Sequence, residues 1–161
     1  MQRSNFDQVV QEIVQKDTRY DIHAYRFVRE GLDYTLKTLK RNASTSNQRH
    51  VSGPELLDGI RHYTLREFGP MSKLVLNEWG VSSCQDFGQI VFNLVQHGVL
   101  GKSESDKLED FSETYTFDEA FVKPFLPLLP TLKERKKKPA IRASRVKPGS
   151  NKSIPSSSAS E

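Results

Sequence analysis

Residues 52–98 read SGPELLDGIRHYTLREFGPMSKLVLNEWGVSSCQDFGQIVFNLVQHG, and they carry the strongest helix signals in the chain. Ser52 stands three residues before Glu55, which is the spacing of a capping box, so a helix begins at this point. Gly69-Pro70 ends that helix and starts another, because glycine favours the left-handed cap and proline suits a first helical turn. The second helix stops at Gly80.

Three more helices follow from the same kind of evidence. Ser83 and Asp86 form a weaker capping box, which predicts a helix over about 84–97. Apolar residues recur at helical spacing over about 5–16 and 22–41. The second of these stretches is apolar over a wide arc, so we expect it to be central among about five helices.

Two short β-prone runs follow the last long helix. Val99-Leu100 and Tyr115-Thr116-Phe117 are separated by the polar segment 101–113, and this pattern predicts a β-hairpin with a long loop. The expected fold class is therefore mainly α with a small β-hairpin (α+β). Three helices followed by a hairpin is also the order of a winged helix-turn-helix, in which helix 84–97 would be the recognition helix and 101–113 the wing.

Composition divides the chain into three parts. Residues 1–123 hold the helices and the hairpin of a compact domain, and residues 124–130 carry a proline at every third position, which favours polyproline II. We expect this segment to be a strap that lays its apolar side chains (Phe125, Leu126, Leu128 and Leu129) onto the domain; a ligand for grooves that bind PxxP segments is the alternative. Residues 131–161 are basic and Ser-rich, which predicts disorder.

Charge is divided just as unevenly. Residues 131–161 hold nine Lys/Arg and two acids, whereas residues 1–130 hold fifteen Lys/Arg and eighteen acids. A flexible cationic segment suits RNA, a ribosome surface or another polyanion, because each phosphate contact releases counterions without requiring a fold. The alternatives are a solubilising tail and a tail that folds back on the acidic body. The predicted polyanion-binding residues are Lys133, Arg135, Lys136, Lys137, Lys138, Arg142, Arg145 and Lys147.

Helix 84–97 carries a polar stripe opposite its apolar side, formed by Gln85, Gln89, Asn93 and Gln96. Side-chain amides can pair with adenine edges, which would suit a winged-helix DNA-binding protein. However, this helix contains no Lys or Arg, and the predicted wing has five acids against two lysines. Such a surface repels a duplex, so DNA binding is the weaker alternative.

Phe92 lies on the amide side of the same helix. Either another segment such as the proline-rich strap covers it, or it is an exposed aromatic anchor for a partner. The second possibility predicts a protein-binding face formed by Gln85, Gln89, Phe92, Asn93 and Gln96.

The sequence offers little for catalysis. The four histidines, His23, His50, His62 and His97, stand in separate elements, and there is no HExxH, Gly-rich phosphate loop or GxSxG motif. Cys84 near a helix start could act as a nucleophile with a nearby histidine as its base, although such a cysteine is more often a small apolar filler. We predict no metal site and no cofactor, and keep a small enzyme using Cys84 or a histidine as an alternative.

Compartment follows from cysteine usage and hydropathy. One cysteine excludes an internal disulfide framework and a Cys-based structural zinc site. No signal-like apolar stretch follows the first residues, and no run reaches about 18 consecutive apolar residues. These features predict a cytoplasmic protein without a membrane role.

Three sequence blocks resemble a family of short uncharacterised proteins from planctomycete and verrucomicrobial bacteria. The blocks are residues 48–106, which begin QRHVSGPELLDGI, together with FDQVVQEIV (6–14) and YTFDEAF (115–121). The likeness covers roughly residues 6–125 and leaves out the tail. That family has no assigned activity, so the resemblance implies no role for any residue. We therefore predict, from the residues alone, a non-enzymatic binding protein whose tail contacts a polyanion and whose body docks a protein.

Overall fold

A computed structural model describes residues 2–42, 50–112 and 114–128. Within these ranges the chain forms six α-helices, which are α1 (Gln2–Lys16), α2 (Ile22–Asn42), α3 (Gly53–Phe68), α4 (Ser72–Glu78), α5 (Cys84–Gln96) and α6 (Phe117–Phe121). Three 3₁₀ turns, Gly69–Met71, Leu108–Phe111 and Lys123–Phe125, lie between or after them. None of the described helices has both the length and the apolar character to cross a membrane.

The chain divides into two units, Met1–Pro127 and Leu128–Glu161. Apart from Leu128, the second unit lies outside the described residues, and so does the predicted tail, residues 131–161.

The local helix signals are confirmed. Glu55 reaches back to the start of α3, where its Oε2 accepts a hydrogen bond from the Ser52 backbone N–H at 3.1 Å. Asp86 does the same for α5, where its Oδ2 accepts from the Ser83 N–H at 2.9 Å. The predicted glycine stops take positive φ, a region that L side chains rarely adopt: Gly69 (50°), Gly80 (83°) and Gly98 (71°).

The most extensive helix contact is between α2 and α3. Small residues allow it, because a Cβ on Gly31 would lie 2.9 Å from Ile60 Cγ1, and a Cβ on Gly59 would collide with the Thr35 side chain. Thr35 is buried, and its hydroxyl donates to the Gly31 carbonyl at 2.7 Å within α2. The prediction that residues 22–41 form a central helix therefore agrees with the packing.

Every α-helix contributes to one apolar core. Its largest fully buried side chains are Tyr25, Phe87, Phe121, Ile13, Leu57, Ile60, Leu76, Ile90, Leu94, Val10, Val28 and Val81. No buried side-chain nitrogen or oxygen within the described ranges lacks a hydrogen-bond partner.

The predicted β-hairpin is wrong, because the described residues contain helices and turns but no strand. The backbone N–H groups of Val99 and Leu100 both point back to the Leu94 carbonyl at the end of α5, at 2.9 and 3.4 Å, and so do not pair with another strand. On the other side, the Thr116 hydroxyl caps α6 by accepting from the Glu119 N–H at 3.3 Å. The two runs that resembled strands therefore lie at helix ends. Val99-Leu100 follows the end of α5, and Tyr115-Thr116-Phe117 lies at the start of α6.

The winged-helix order fails for a second reason. Residues 108–111, inside the predicted wing, form a 3₁₀ turn that packs on α5. A Cβ on Gly88 of α5 would lie only 2.7 Å from Phe111 Cβ, so the turn sits directly on the helix backbone. The segment predicted to be a wing is therefore packed against α5, whereas the wing of a winged helix extends from the domain.

The prediction that the proline-rich strap packs on the domain is also wrong where the structure describes it. Pro124 lies in the 3₁₀ turn Lys123–Phe125, which follows α6 directly. Phe125 is 45% exposed and Leu126 is 57% exposed, so neither side chain is laid onto the core. Leu129 lies outside the described residues.

The α2–α3 contact yields a stability prediction. In Gly59→Ala the added methyl group must displace Thr35, and overpacking of this kind typically costs about 1–3 kcal/mol. Alanine returns about 1 kcal/mol of helix propensity, so we expect a net loss of up to about 2 kcal/mol in the free energy of unfolding, measured by urea denaturation. Gly101→Ala is the control, since nothing lies within 4 Å of a Cβ at that position. Equal midpoints for the two variants would contradict the close packing.

Candidate functional site

The predicted polyanion-binding residues lie outside the described part of the chain. They are Lys133, Arg135, Lys136, Lys137, Lys138, Arg142, Arg145 and Lys147. Their contact with a polyanion stays a prediction.

The predicted protein-binding face of α5 is only partly available. Gln85 and Gln96 are exposed and Gln89 is half-buried. Asn93 has internal partners, because its Nδ2 donates to the Tyr25 hydroxyl at 3.0 Å and to Asp17 Oδ2 at 3.2 Å. The face that remains for a partner is formed by the three glutamines.

Asp17 is the centre of the contact that holds Asn93. The Arg19 guanidinium donates to both Asp17 oxygens, at 2.9 Å from Nε and 2.6 Å from Nη2. These hydrogen bonds hold the pKa of the Asp17 carboxyl well below its usual range. Asp17 directly follows α1, Tyr25 belongs to α2 and Asn93 to α5, so this polar cluster joins three elements.

Asp86 occupies the N-terminal end of α5. Besides the Ser83 N–H, it accepts from the Ser82 N–H at 2.9 Å and from the Tyr20 hydroxyl at 2.7 Å. Burial opposes ionisation of this carboxyl, but the hydrogen bonds from Ser82, Tyr20 and Ser83 outweigh it and lower the pKa. The positive end of the α5 dipole is therefore already matched by an internal anion.

Phe92 falls between the two predicted outcomes, since it is half-buried. The Phe111 ring meets it edge-on with centroids 6.4 Å apart, and Lys102 Nζ lies 4.9 Å from the centre of its ring. Both neighbours come from the segment after α5. The expected cover from the proline-rich strap is replaced by the 3₁₀ turn that follows α5.

Phe92 also forms part of the wall of an apolar cleft of about 220 Å³. The cleft lies between α2, α5 and the segments before α3 and after α5. Its apolar walls include Leu32 and Leu36 of α2, Leu56 of α3, Val91 and Val95 of α5, and Phe111.

Polar side chains stand among the lining residues of this cleft. His50 Nε2 lies 3.0 Å from Asp106 Oδ2, and the same oxygen accepts a hydrogen bond from the Ser103 N–H at 2.9 Å. Lys102 lines the cleft as well and is exposed. The cleft therefore combines an apolar interior with one cation and a His–Asp pair.

Cys84 lies at the other end of α5 and is fully buried. Its thiol donates to the Tyr115 carbonyl at 3.3 Å. A second cleft, of about 340 Å³, has Cys84, Lys73 and Asp118 among its lining residues, and no histidine among those the structure describes.

The four histidines lie at four different places. His23 stacks on Trp79, His50 pairs with Asp106, His62 Nδ1 lies 2.8 Å from the Asp58 carbonyl, and His97 Nδ1 lies 2.8 Å from the Asn93 carbonyl. None of these contacts joins a histidine to Cys84, so they do not provide the thiol–imidazole pair that would favour an enzyme using Cys84 or a histidine. Nor does the described part of the chain contain a group of three His, Cys, Asp or Glu residues able to hold a metal ion.

The sequence interpretation missed Lys102 and Asp106 as residues of the cleft. It read segment 101–113 as an acidic wing extending from the domain. The available signal was Leu108 and Phe111, two apolar residues three apart in a run that is otherwise polar. This spacing is typical of a short turn that packs on a neighbour.

No family model, curated protein or solved structure matches the chain. The resemblance to the planctomycete and verrucomicrobial proteins therefore stays a prediction.

The Asp86 cluster predicts a specific pH dependence of stability. Because folding lowers the pKa of Asp86, its contribution is complete above the pKa of an unfolded-chain aspartate, about 4, and is lost as pH falls through the lower folded value. We expect Asp86→Asn to lower the free energy of unfolding by about 1–2 kcal/mol at pH 7, and by less at pH 2, in urea denaturation.

Glu104→Gln is the control, since it changes an exposed carboxylate in the loop after α5. It should leave stability nearly unchanged at both pH values. If Asp86→Asn lowered the free energy of unfolding equally at pH 2 and pH 7, the role of the ionised carboxylate would be contradicted.

Proposed function

We propose that this chain is a non-enzymatic binding protein with two working parts. The basic segment after residue 130 binds a polyanion such as RNA, and the folded body docks a protein partner. The single cysteine, which forms no internal disulfide, suits a reducing compartment such as the cytoplasm.

The first part rests on the charge balance of the chain, because residues 1–130 hold fifteen Lys/Arg against eighteen acids and most of the described arginines of the body are already paired. The structure describes five arginine side chains, and four of them, Arg19, Arg26, Arg61 and Arg66, lie within ion-pair distance of a carboxylate. The fifth, Arg29, stacks over the Phe6 ring, with its Cζ 4.4 Å from the ring centre. The excess of nine Lys/Arg over two acids in residues 131–161 is thus the best source of cations for phosphate contacts.

Protein docking by the body is supported by the outer face of α5. Gln85, Gln89 and Gln96 present amides to solvent on a helix that is otherwise anchored in the core. Side-chain amides donate and accept hydrogen bonds without the desolvation penalty of a charge, which suits the surface of a protein complex.

Salt dependence tests the polyanion-binding part. In the full chain, Lys136, Lys137 and Lys138 are changed together to Gln, and binding to a fluorescent oligouridylate is measured by anisotropy over a salt series. Each lost phosphate contact reduces the slope of log K against log salt by about 0.7, so the slope should decrease in magnitude by about 2. Affinity at low salt should fall accordingly.

The matched control changes Lys16, Lys37 and Lys40, three exposed lysines of α1 and α2, to Gln. It removes the same charge from the molecule but leaves the segment intact, and should leave the slope nearly unchanged. Equal loss in both variants would assign binding to net charge, and no loss in either would refute the basic segment as the binding element.

Site-specific crosslinking tests the docking part. A photoreactive phenylalanine derivative is placed at Gln85 or Gln96 in the full chain, and irradiated in cells. We expect a discrete protein adduct from these positions, because they lie on the exposed face of α5. The same substitution at Gln11, an exposed residue of α1, is the control. An identical adduct pattern from all three positions, or no adduct at all, would contradict docking by this face.

A further inference from the structure

The cleft beside Phe92 has the features of a small-molecule site. Its walls come from α2, α5, the start of α3 and the 3₁₀ turn Leu108–Phe111, which are far apart in sequence and converge on one concavity. Ligand sites are typically concave and mostly apolar, with a few polar groups that fix orientation. Protein interfaces of standard size instead need about 800 Å² from each partner, which a single cleft of this volume does not supply.

The volume of the cleft limits the size of an occupant. At about 220 Å³ it is larger than the roughly 150 Å³ apolar cavity that admits benzene. By proportion it accommodates roughly eight to nine carbon atoms. An aliphatic chain or a substituted ring of that size would contact Leu36, Val91 and Val95.

Charge among the lining residues selects the polar end of the occupant. Asp106 is already engaged by His50 Nε2 and by the Ser103 N–H, each on its Oδ2. Lys102 instead lies over the face of Phe92, and no carboxylate in the described ranges is within ion-pair distance of its ammonium group. A cation held at an apolar cleft without an anionic partner is complementary to a ligand carboxylate.

A cationic ligand is disfavoured by the same geometry. Lys102 occupies the electron-rich face of Phe92, where an ammonium group would otherwise bind. Its positive charge also repels a second cation near Phe92, whereas the negative charge of Asp106, in the same lining, is engaged by His50 and by the Ser103 N–H.

We propose that this cleft binds a small monocarboxylate with an apolar portion of about eight carbons, its chain against the walls of α2 and α5 and its carboxylate at Lys102. The lining of this cleft includes no residue of the basic segment and none of the three glutamines of α5, so the proposal does not depend on the function proposed above.

Titration of the full chain with octanoate tests the site, followed by ¹H–¹⁵N correlation spectra. The amides of Val91, Val95 and Gly101 should shift in a saturable way. Octylammonium, which has the same chain and the opposite charge, should bind more weakly or not at all. In Lys102→Gln the affinity for octanoate should fall about two- to fivefold, the range for a solvent-exposed ion pair, while the affinity for the neutral 1-octanol should be unchanged.

Lys107→Gln is the matched control, since Lys107 is an exposed lysine of the same loop that does not line the cleft. It should leave octanoate binding unchanged. Equal losses in the Lys102 and Lys107 variants, or equal binding of octanoate and octylammonium, would overturn the assignment of the carboxylate to Lys102. Absence of saturable shifts at the cleft would overturn the site itself.

A second variant, Val95→Trp, tests the location independently by filling the cleft. If it keeps the wild-type pattern of amide signals, it should abolish the octanoate shifts, and retained binding would place the ligand elsewhere. If it unfolds, the comparison of Lys102→Gln with Lys107→Gln decides the proposal.

Discussion

The contact of Phe111 with Gly88 determines the arrangement around the candidate site. Because residue 88 has no side chain, the 3₁₀ turn Leu108–Phe111 can rest on the backbone of α5, where a Cβ would lie 2.7 Å from Phe111 Cβ. The same turn reaches the start of α3, since a Cβ on Gly53 would lie 2.8 Å from Asp110 Cβ. The turn thus packs against two glycines, Gly88 of α5 and Gly53 of α3. As a result, the segment predicted to extend as a wing forms one wall of the cleft.

Local signals in the sequence predicted much of the helical framework. Capping by Glu55 and Asp86 and termination at Gly69, Gly80 and Gly98 depend on residues within one or two turns of each other, so the sequence alone contains the required information. Local signals of this kind could not show that residues 99–100 and 115–117 do not pair as a hairpin. Tyr115 and Thr116 are β-prone, but Tyr115 donates its hydroxyl hydrogen to the Leu57 carbonyl at 3.0 Å, and tertiary contacts of this kind override β-propensity.

The predicted protein-binding face of α5 likewise depends on contacts between residues that are far apart in the sequence. Helical spacing correctly placed Gln85, Gln89 and Gln96 on a solvent-facing side. It could not show that Asp17 and Tyr25, some 70 positions away in the sequence, would bind Asn93. Nor could it show that Phe92 would meet Phe111, because the position of the turn depends on the space above Gly88.

Most of the circumference of α5 packs against the rest of the domain. One side of the helix, with Phe87, Ile90 and Leu94, is fully buried, and another side, at Gly88 and Phe92, is covered by the turn. The only charged residue of the helix, Asp86, serves as its cap. The side that reaches solvent is formed by Gln85, Gln89 and Gln96, which carry neutral amides. A helix packed in this way presents neutral amides to solvent, and it carries no cation for the charge neutralisation on which nucleic-acid affinity depends.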